Sequence, residues 1–130
     1  MAPKRRSPIG RQSWKRQFDS RYASFRSHLQ AKYGPIQVHH LATNKHSYYT
    51  PQMEKIAGKY GLGLDQVWNK LSVPHVGSHP VQYHEFVLGE MRAADAIARG
   101  DLGVFLNQNK IRVTDVVRSD PGMLNASWWK

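Results

Sequence analysis

Residues 35–41 read Pro35-Ile36-Gln37-Val38-His39-His40-Leu41, and residues 74–84 read Pro74-His75-Val76-Gly77-Ser78-His79-Pro80-Val81-Gln82-Tyr83-His84. The first stretch is a short apolar run, read as a strand, that closes on an adjacent histidine pair. The second sets a histidine cluster between a strand ending at Pro74 and a helix starting at Pro80, where proline suits the first turn. Imidazole is the commonest neutral metal ligand and the side chain that titrates nearest physiological pH. A doublet at a strand end facing a cluster at a helix start can therefore supply metal ligands and a general base together. Neighbouring side chains on a strand point to opposite sides, so His39 and His40 divide these tasks: one turns to the metal, the other to the attacking water.

Working outward, residues 1–12 hold Pro3, Pro8 and Gly10 among cations and few apolar groups, which reads as a flexible basic arm or linker. Residues 13–130 read as a single domain. From Ser13, Trp14, Phe18, Tyr22, Phe25 and Leu29 recur at spacings of three or four and mark one face of a helix that Gly34-Pro35 ends. After the strand Ile36–Leu41 comes a polar stretch, Thr43–Thr50, then a helix from Pro51 that stops at Gly61-Leu62-Gly63. Leu64, Val67 and Trp68 form one more apolar turn, and 69–73 read as the second strand. The long helix from Pro80 runs to Arg99-Gly100, with Phe86, Val87, Met91, Ala94 and Ile97/Ala98 on its apolar face. A short helix at 101–107, a strand at Lys110–Val117 and a turn-rich tail complete the reading. There is no internal repeat.

At 130 residues the chain is long enough to bury an ordinary core in one domain. It contains no cysteine, which excludes disulfides and thiolate zinc sites. No apolar run approaches the ~20 residues of a membrane span, and no signal-peptide core follows the N-terminus. The formal charge is +10, and residues 1–32 hold nine Lys/Arg against the single acid Asp19. A field of this sign favours polyanions, above all phosphate backbones.

A strand, a connection, a second strand and a helix, with histidines at the first strand end and the helix start, resembles the ββα-metal (His-Me) nuclease finger. The sequence is similar to the HNH/endonuclease VII superfamily, and within it to the toxin nucleases marked by an Ala-His-His-type motif. Here that motif reads Val38-His39-His40-Leu41-Ala42-Thr43-Asn44-Lys45, with valine at the alanine position, and its second half runs from Leu71 to Val87. The likeness spans about residues 35 to 92. It implies an α+β fold, a finger core at about 35–99 with an added N-terminal helix and a C-terminal extension. It also implies a metal-dependent endonuclease with little sequence specificity, DNA favoured over RNA.

The chemistry suits the residues. Phosphodiester hydrolysis needs an activated water, charge relief on the phosphoryl oxygens and help for the departing oxygen. One divalent metal supplies the last two as a Lewis acid; a positioned imidazole supplies the first, typically ~10²–10⁴ in rate. The resemblance to double-histidine DNase colicins makes His39 a metal ligand and His40 the general base. Asn69, in the family pattern, fixes the finger loop or orients the base histidine, and a turn-forming asparagine is the plainer alternative. Among the helix-side histidines, Pro74, Gly77 and Pro80 disfavour a regular helix between His75 and His79. His79 is placed at the N-cap. His84, five residues on, lies about 140° round an ideal helix. His79 and His84 are the favoured ligands, with His75 a substitute ligand or a phosphate contact. His28 and His46 read as surface or hydrogen-bonding residues. Glu85 is a candidate for orienting a ligand ring or a plain helix carboxylate. Lys45, Arg92 and Arg112 are candidate phosphate contacts or solvated charges.

All-imidazole ligation suits Zn, Ni, Co or Mn better than Mg, and finger nucleases take one divalent ion (Zn, Ni, Mn or Mg). The resemblance further implies a toxin domain of bacterial polymorphic toxins, secreted or delivered into the target-cell cytoplasm, with the basic arm as the junction to a larger delivery polypeptide. It implies a cognate immunity protein as well, expected to be acidic given the cationic chain. The alternative is a non-catalytic nucleic-acid-binding module whose histidines hold a structural metal.

Overall fold

The computed structural model describes residues 27, 28, 30–75 and 77–130. The basic arm and the aromatic stripe from Trp14 to Leu29 lie outside them; residues 30–33 are helical, and that helix closes where Gly34 N–H donates to Gln30 C=O at 2.8 Å. Gly34 sits at φ +107°, a conformation open to glycine.

Strand β1 (Ile36–His40) pairs antiparallel with β2 (Lys70–Pro74), so that His39 faces Leu71 and His40 faces Lys70 across the ladder. Directly paired residues share a face of the sheet. Leu71 and Val73 are buried and Ser72 is exposed, so His39 stands on the inward face, while His40 and Lys70 stand outward with Val38. Period-two alternation thus splits the doublet between two environments.

Between the strands lies α1 (Tyr49–Gly58), which buries Tyr49, Met53, Ile56 and Ala57 and ends before Gly61 at φ +71°. A 3-10 turn, Val67–Asn69, leads into β2. Helix α2 (Val81–Ala98) buries Tyr83, His84, Val87, Leu88, Met91, Ala94 and Ala98, a stripe of helical spacing turned to the core. It starts one residue after the expected position, with Pro80 in the cap. Its far end closes through Arg99 at φ +49° and Gly100 at φ +87°. Tyr83, fully buried, donates its hydroxyl to Leu41 C=O at 3.0 Å, pinning the residue that follows the histidine doublet to the helix.

Helix α3 (Leu102–Asn109) is capped by Asp101, whose carboxylate accepts from Val104 N–H at 3.0 Å. The strand expected at Lys110–Val117 does not form. The chain stays helical through a π segment, Lys110–Thr114, into α4 (Asp115–Ser119). The β-branched run Ile111, Val113, Thr114, Val116 and Val117 carries strand propensity, yet packing decides otherwise. Phe105, Asn109, Val113 and Val117 recur every four residues and are all buried. A strict four-residue period drifts off the face of a 3.6-residue helix, and a π segment, with its i→i+5 bonds, turns more slowly and absorbs that drift. Two 3-10 turns, Pro121–Leu124 and Ala126–Trp129, close the chain. The architecture is α+β: helices packed about one small antiparallel sheet. Among the described residues no helix is long and apolar enough to cross a membrane.

Candidate functional site

The inward face of β1, the segment after β2 and the start of α2 meet at a cavity of about 420 Å³ lined by His39, His40, His46, His79 and His84 together with Lys45. His75, 1% exposed, lies against it: the His39, His75 and His79 ring centres form a triangle with sides of 5.1, 5.3 and 5.1 Å. His84 lies 6.0 Å from His79 and closer, 5.2 Å, to His46. Folding therefore gathers His39, His75, His79 and His84 around one cavity. By ring spacing, His75 ranks with His39 and His79, and His84 stands further out.

Two imidazoles on one tetrahedral ion, each bound at ~2.1 Å, hold their ring centres roughly 5 Å apart, so the triangle has ligand spacing. Nitrogens with nothing to bond add to the fit: His39 Nε2, His75 Nδ1 and His84 Nδ1 are buried without a hydrogen-bond partner. Such orphans are costly unless something satisfies them. His75 is the most prepared. Its Nε2–H donates to Gly77 C=O at 3.1 Å, which leaves the lone pair on Nδ1, the outer bond that metal-binding histidines ordinarily make. Among the described residues no three side chains already aim their donor atoms at a common point. Turning an imidazole about its Cβ–Cγ bond exchanges which nitrogen faces inward while moving the ring centre little.

Charge is disfavoured here, which keeps the rings in their ligand form. Burial first, then the neighbouring His75, His39 and His84, push His79 down to about 3. Burial and then His75 lower His39. Burial lowers His75 against the opposing bond to the Gly77 backbone. Burial and then His46 lower His84.

His40 is held differently. Its Nε2 meets Asp65 Oδ1 at 2.8 Å, and Lys70 Nζ lies 3.3 Å from the same carboxylate oxygen. The His40 contact, then Lys70, depress Asp65 below the usual carboxylate range. An ionised carboxylate on Nε2–H leaves the lone pair on Nδ1, the tautomer a general base needs. The sequence reading missed Asp65. Its one signal was an acid in the short connection before β2, which hairpin pairing brings back to the end of β1.

Asn69 is fully buried, and its hydrogen bonds go to backbone: it accepts from Ala42 N–H at 2.7 Å and donates to Ala42 C=O and Leu64 C=O, each at 2.8 Å. It fixes the loop that follows β1; it makes no hydrogen bond to His40, whose ring is held instead by Asp65. Glu85 accepts from the Tyr49 hydroxyl, and the Tyr49 ring packs against His46 at 4.9 Å and His84 at 5.5 Å. That bond, then burial, pushes the Tyr49 hydroxyl up to about 12. Of the candidate phosphate contacts, Lys45 lines the cavity; Arg92 donates to Gln52 at 2.8 Å and Arg112 pairs with Glu90 at 3.1 Å, away from it. His28 is exposed; His46, read as a surface or hydrogen-bonding residue, is a hydrogen-bonding one and forms part of the cavity wall.

By class the protein is a nuclease: a model described as a nuclease family of the HNH/ENDO VII superfamily with conserved AHH matches residues 22–110. The chain belongs to that family, and its adjacent histidine pair, His39-His40, preceded by Val38, lies within the matched residues. Val38 is 63% exposed, so a side chain larger than alanine meets no packing there. No curated protein and no solved structure matches the chain.

Proposed function

We propose that this nuclease is a metal-dependent endonuclease of the ββα-metal type that hydrolyses phosphodiester bonds with little sequence preference, DNA favoured. One observation carries the reading: imidazoles from three separate segments surround one cavity with buried, unpartnered nitrogens, while the next residue along β1, His40, stands on the other face of the strand at the cavity's edge and is held by a carboxylate. His39, His75 and His79 would hold a divalent ion (Zn, Ni, Mn or Mg), with His84 beside them. When bound, that ion supplies Lewis-acid relief of charge on the phosphate and the departing oxygen.

The chain's own residues do the rest. Asp65 orients His40 so that Nδ1 takes the proton of the attacking water. Asn69 and Tyr83 fix the backbone just after the doublet, at Ala42 and Leu41. Among the described residues no carboxylate lines the cavity to repel a phosphodiester. Affinity rests on backbone contacts rather than base reading, consistent with the +10 charge. The biological setting belongs to the same proposal: an antibacterial toxin domain, secreted or delivered to act in a target cell's cytoplasm, and neutralised by an acidic immunity protein.

The test incubates the protein with supercoiled plasmid and, in parallel, with RNA, in Mg²⁺, Mn²⁺, Zn²⁺ or Ni²⁺ and with a chelator. Plasmid is nicked and linearised with metal and untouched without it. His40→Ala abolishes cutting and keeps metal binding; His39→Ala weakens metal binding. A wild-type protein that cuts neither nucleic acid with any of these ions ends the proposal, and a His40→Ala protein that cuts at the wild-type rate removes His40 as the base.

A further inference from the structure

His46 is the cavity histidine that no step above uses, and its hydrogen bonds set it apart from the others. Its Nδ1 accepts from two backbone N–H groups at the start of α1, Tyr48 at 3.1 Å and Tyr49 at 3.3 Å. A helix start leaves such donors without intrahelical partners, and here the imidazole lone pair satisfies two of them. Its own backbone is fixed too. His46 N–H donates to Thr50 Oγ1 at 2.8 Å, and the Thr50 hydroxyl donates on to Thr43 C=O at 2.7 Å.

A nitrogen that accepts two hydrogen bonds carries no proton, so the ring proton of the neutral imidazole sits on Nε2. Nδ1 is spent on the helix and Nε2 presents N–H. His46 thus differs in kind from His39, His75 and His84, each of which has a buried nitrogen awaiting a partner. It offers the cavity a donor, not a lone pair. Among the described residues Nε2 has no hydrogen-bond partner, and the half-buried ring stands edge-on to His84. Asn44 and Lys45, on the same loop, also line the cavity. This part of the wall therefore offers donors, beside His84.

We infer that His46 is a substrate-binding residue whose Nε2–H, locked in that tautomer by the α1 N-terminus, donates a hydrogen bond to a non-bridging oxygen of the phosphodiester. The inference rests on the nuclease reading above and names a contact that holds the phosphate from the loop between β1 and α1. The anchoring of Nδ1 in α1 fixes the direction of this donor before substrate arrives, so little ordering is lost on binding.

The test separates the cap from the donor. His46→Asn keeps an acceptor for the Tyr48 and Tyr49 N–H groups, as asparagine does at helix starts, but has no donor at the Nε2 position; His46→Ala loses both. His46→Asn is expected to keep the wild-type thermal midpoint and zinc affinity, while kcat/KM on a short duplex falls about 10- to 100-fold, the loss typical of a hydrogen bond to a charged oxygen. Long-range ¹H–¹⁵N NMR of the imidazoles in the wild-type protein gives a readout that needs no cleavage. It should show the His46 proton on Nε2 and a shift of that nitrogen on adding inorganic phosphate. Undiminished kcat/KM in His46→Asn, a fall in its zinc affinity, or a proton on Nδ1 would each overturn the inference. If the wild type cuts nothing, the nuclease reading fails by itself, and the NMR result still decides whether His46 binds phosphate.

Discussion

Replacing Asn69 by alanine tests whether this residue acts by holding a loop. The substitution removes three hydrogen bonds, of 2.7, 2.8 and 2.8 Å, and leaves the Ala42 N–H and the carbonyls of Ala42 and Leu64 without that partner. Ala42 is 1% exposed and Leu64 4%, so water does not readily replace what is lost. At about 1 kcal/mol net for each bond, with more for buried groups left unpaired, the cost is roughly 3–5 kcal/mol. A small domain has about 5–15 kcal/mol in all, so the variant sits near the edge of folding. Equilibrium urea unfolding followed by tryptophan fluorescence measures it: the midpoint should fall steeply while the m-value holds. Asn69→Asp should be comparably unstable near neutral pH, because its carboxylate faces two carbonyls. It should regain stability on acidification, since its folded-state pKa is raised and protonation restores one donor. A loss under about 1 kcal/mol together with abolished cleavage would refute the reasoning, because Asn69 would then be acting in the chemistry rather than through the loop.

Three further outcomes follow from the same geometry. Asp65→Asn should lower kcat about 10- to 100-fold, as loss of an orienting partner does, with zinc affinity unchanged in calorimetry; equal loss of both would place Asp65 in the metal site. His75→Ala should weaken zinc binding more than His84→Ala does, in the order set by ring spacing, and the reverse order would return His84 to the first rank of ligands. In chelator-treated protein, stability should fall as pH drops below 6.5, the ordinary histidine value, and go on falling toward the value of about 3 reached by His79. The sign follows from the unfolded chain taking up protons that the folded rings refuse. Bound Zn²⁺ should move this loss to lower pH in thermal melts, and a melting temperature flat from pH 7 to pH 4 without metal would show that the rings are less buried than their contacts indicate.

The sequence by itself was enough for the two strands, the helix after Pro80 and the opposite facing of His39 and His40. Each of these rests on local periodicity: alternation in a strand, a proline at a helix start, glycines at its end. It also showed two groups of histidines, His39-His40 and His75, His79 and His84, because the members of each lie close in the chain. What it could not show was how the cluster is arranged. Whether His75 or His84 stands nearer the centre depends on how the segment between Pro74 and Pro80 folds back, and that path has no period to read. Asp65, 25 residues from His40, and His46, caught between a helix start and the cavity, reach their places only when β1 and β2 pair and α1 packs against α2. The run from Lys110 to Val117 failed for the opposite reason: its β-branched residues carry a real local preference, and burial of Phe105, Val113 and Val117 on one helical face overrode it. Local pattern fixes which backbone conformations are cheap; only the packed chain settles which of them bury their apolar faces and which side chains then meet.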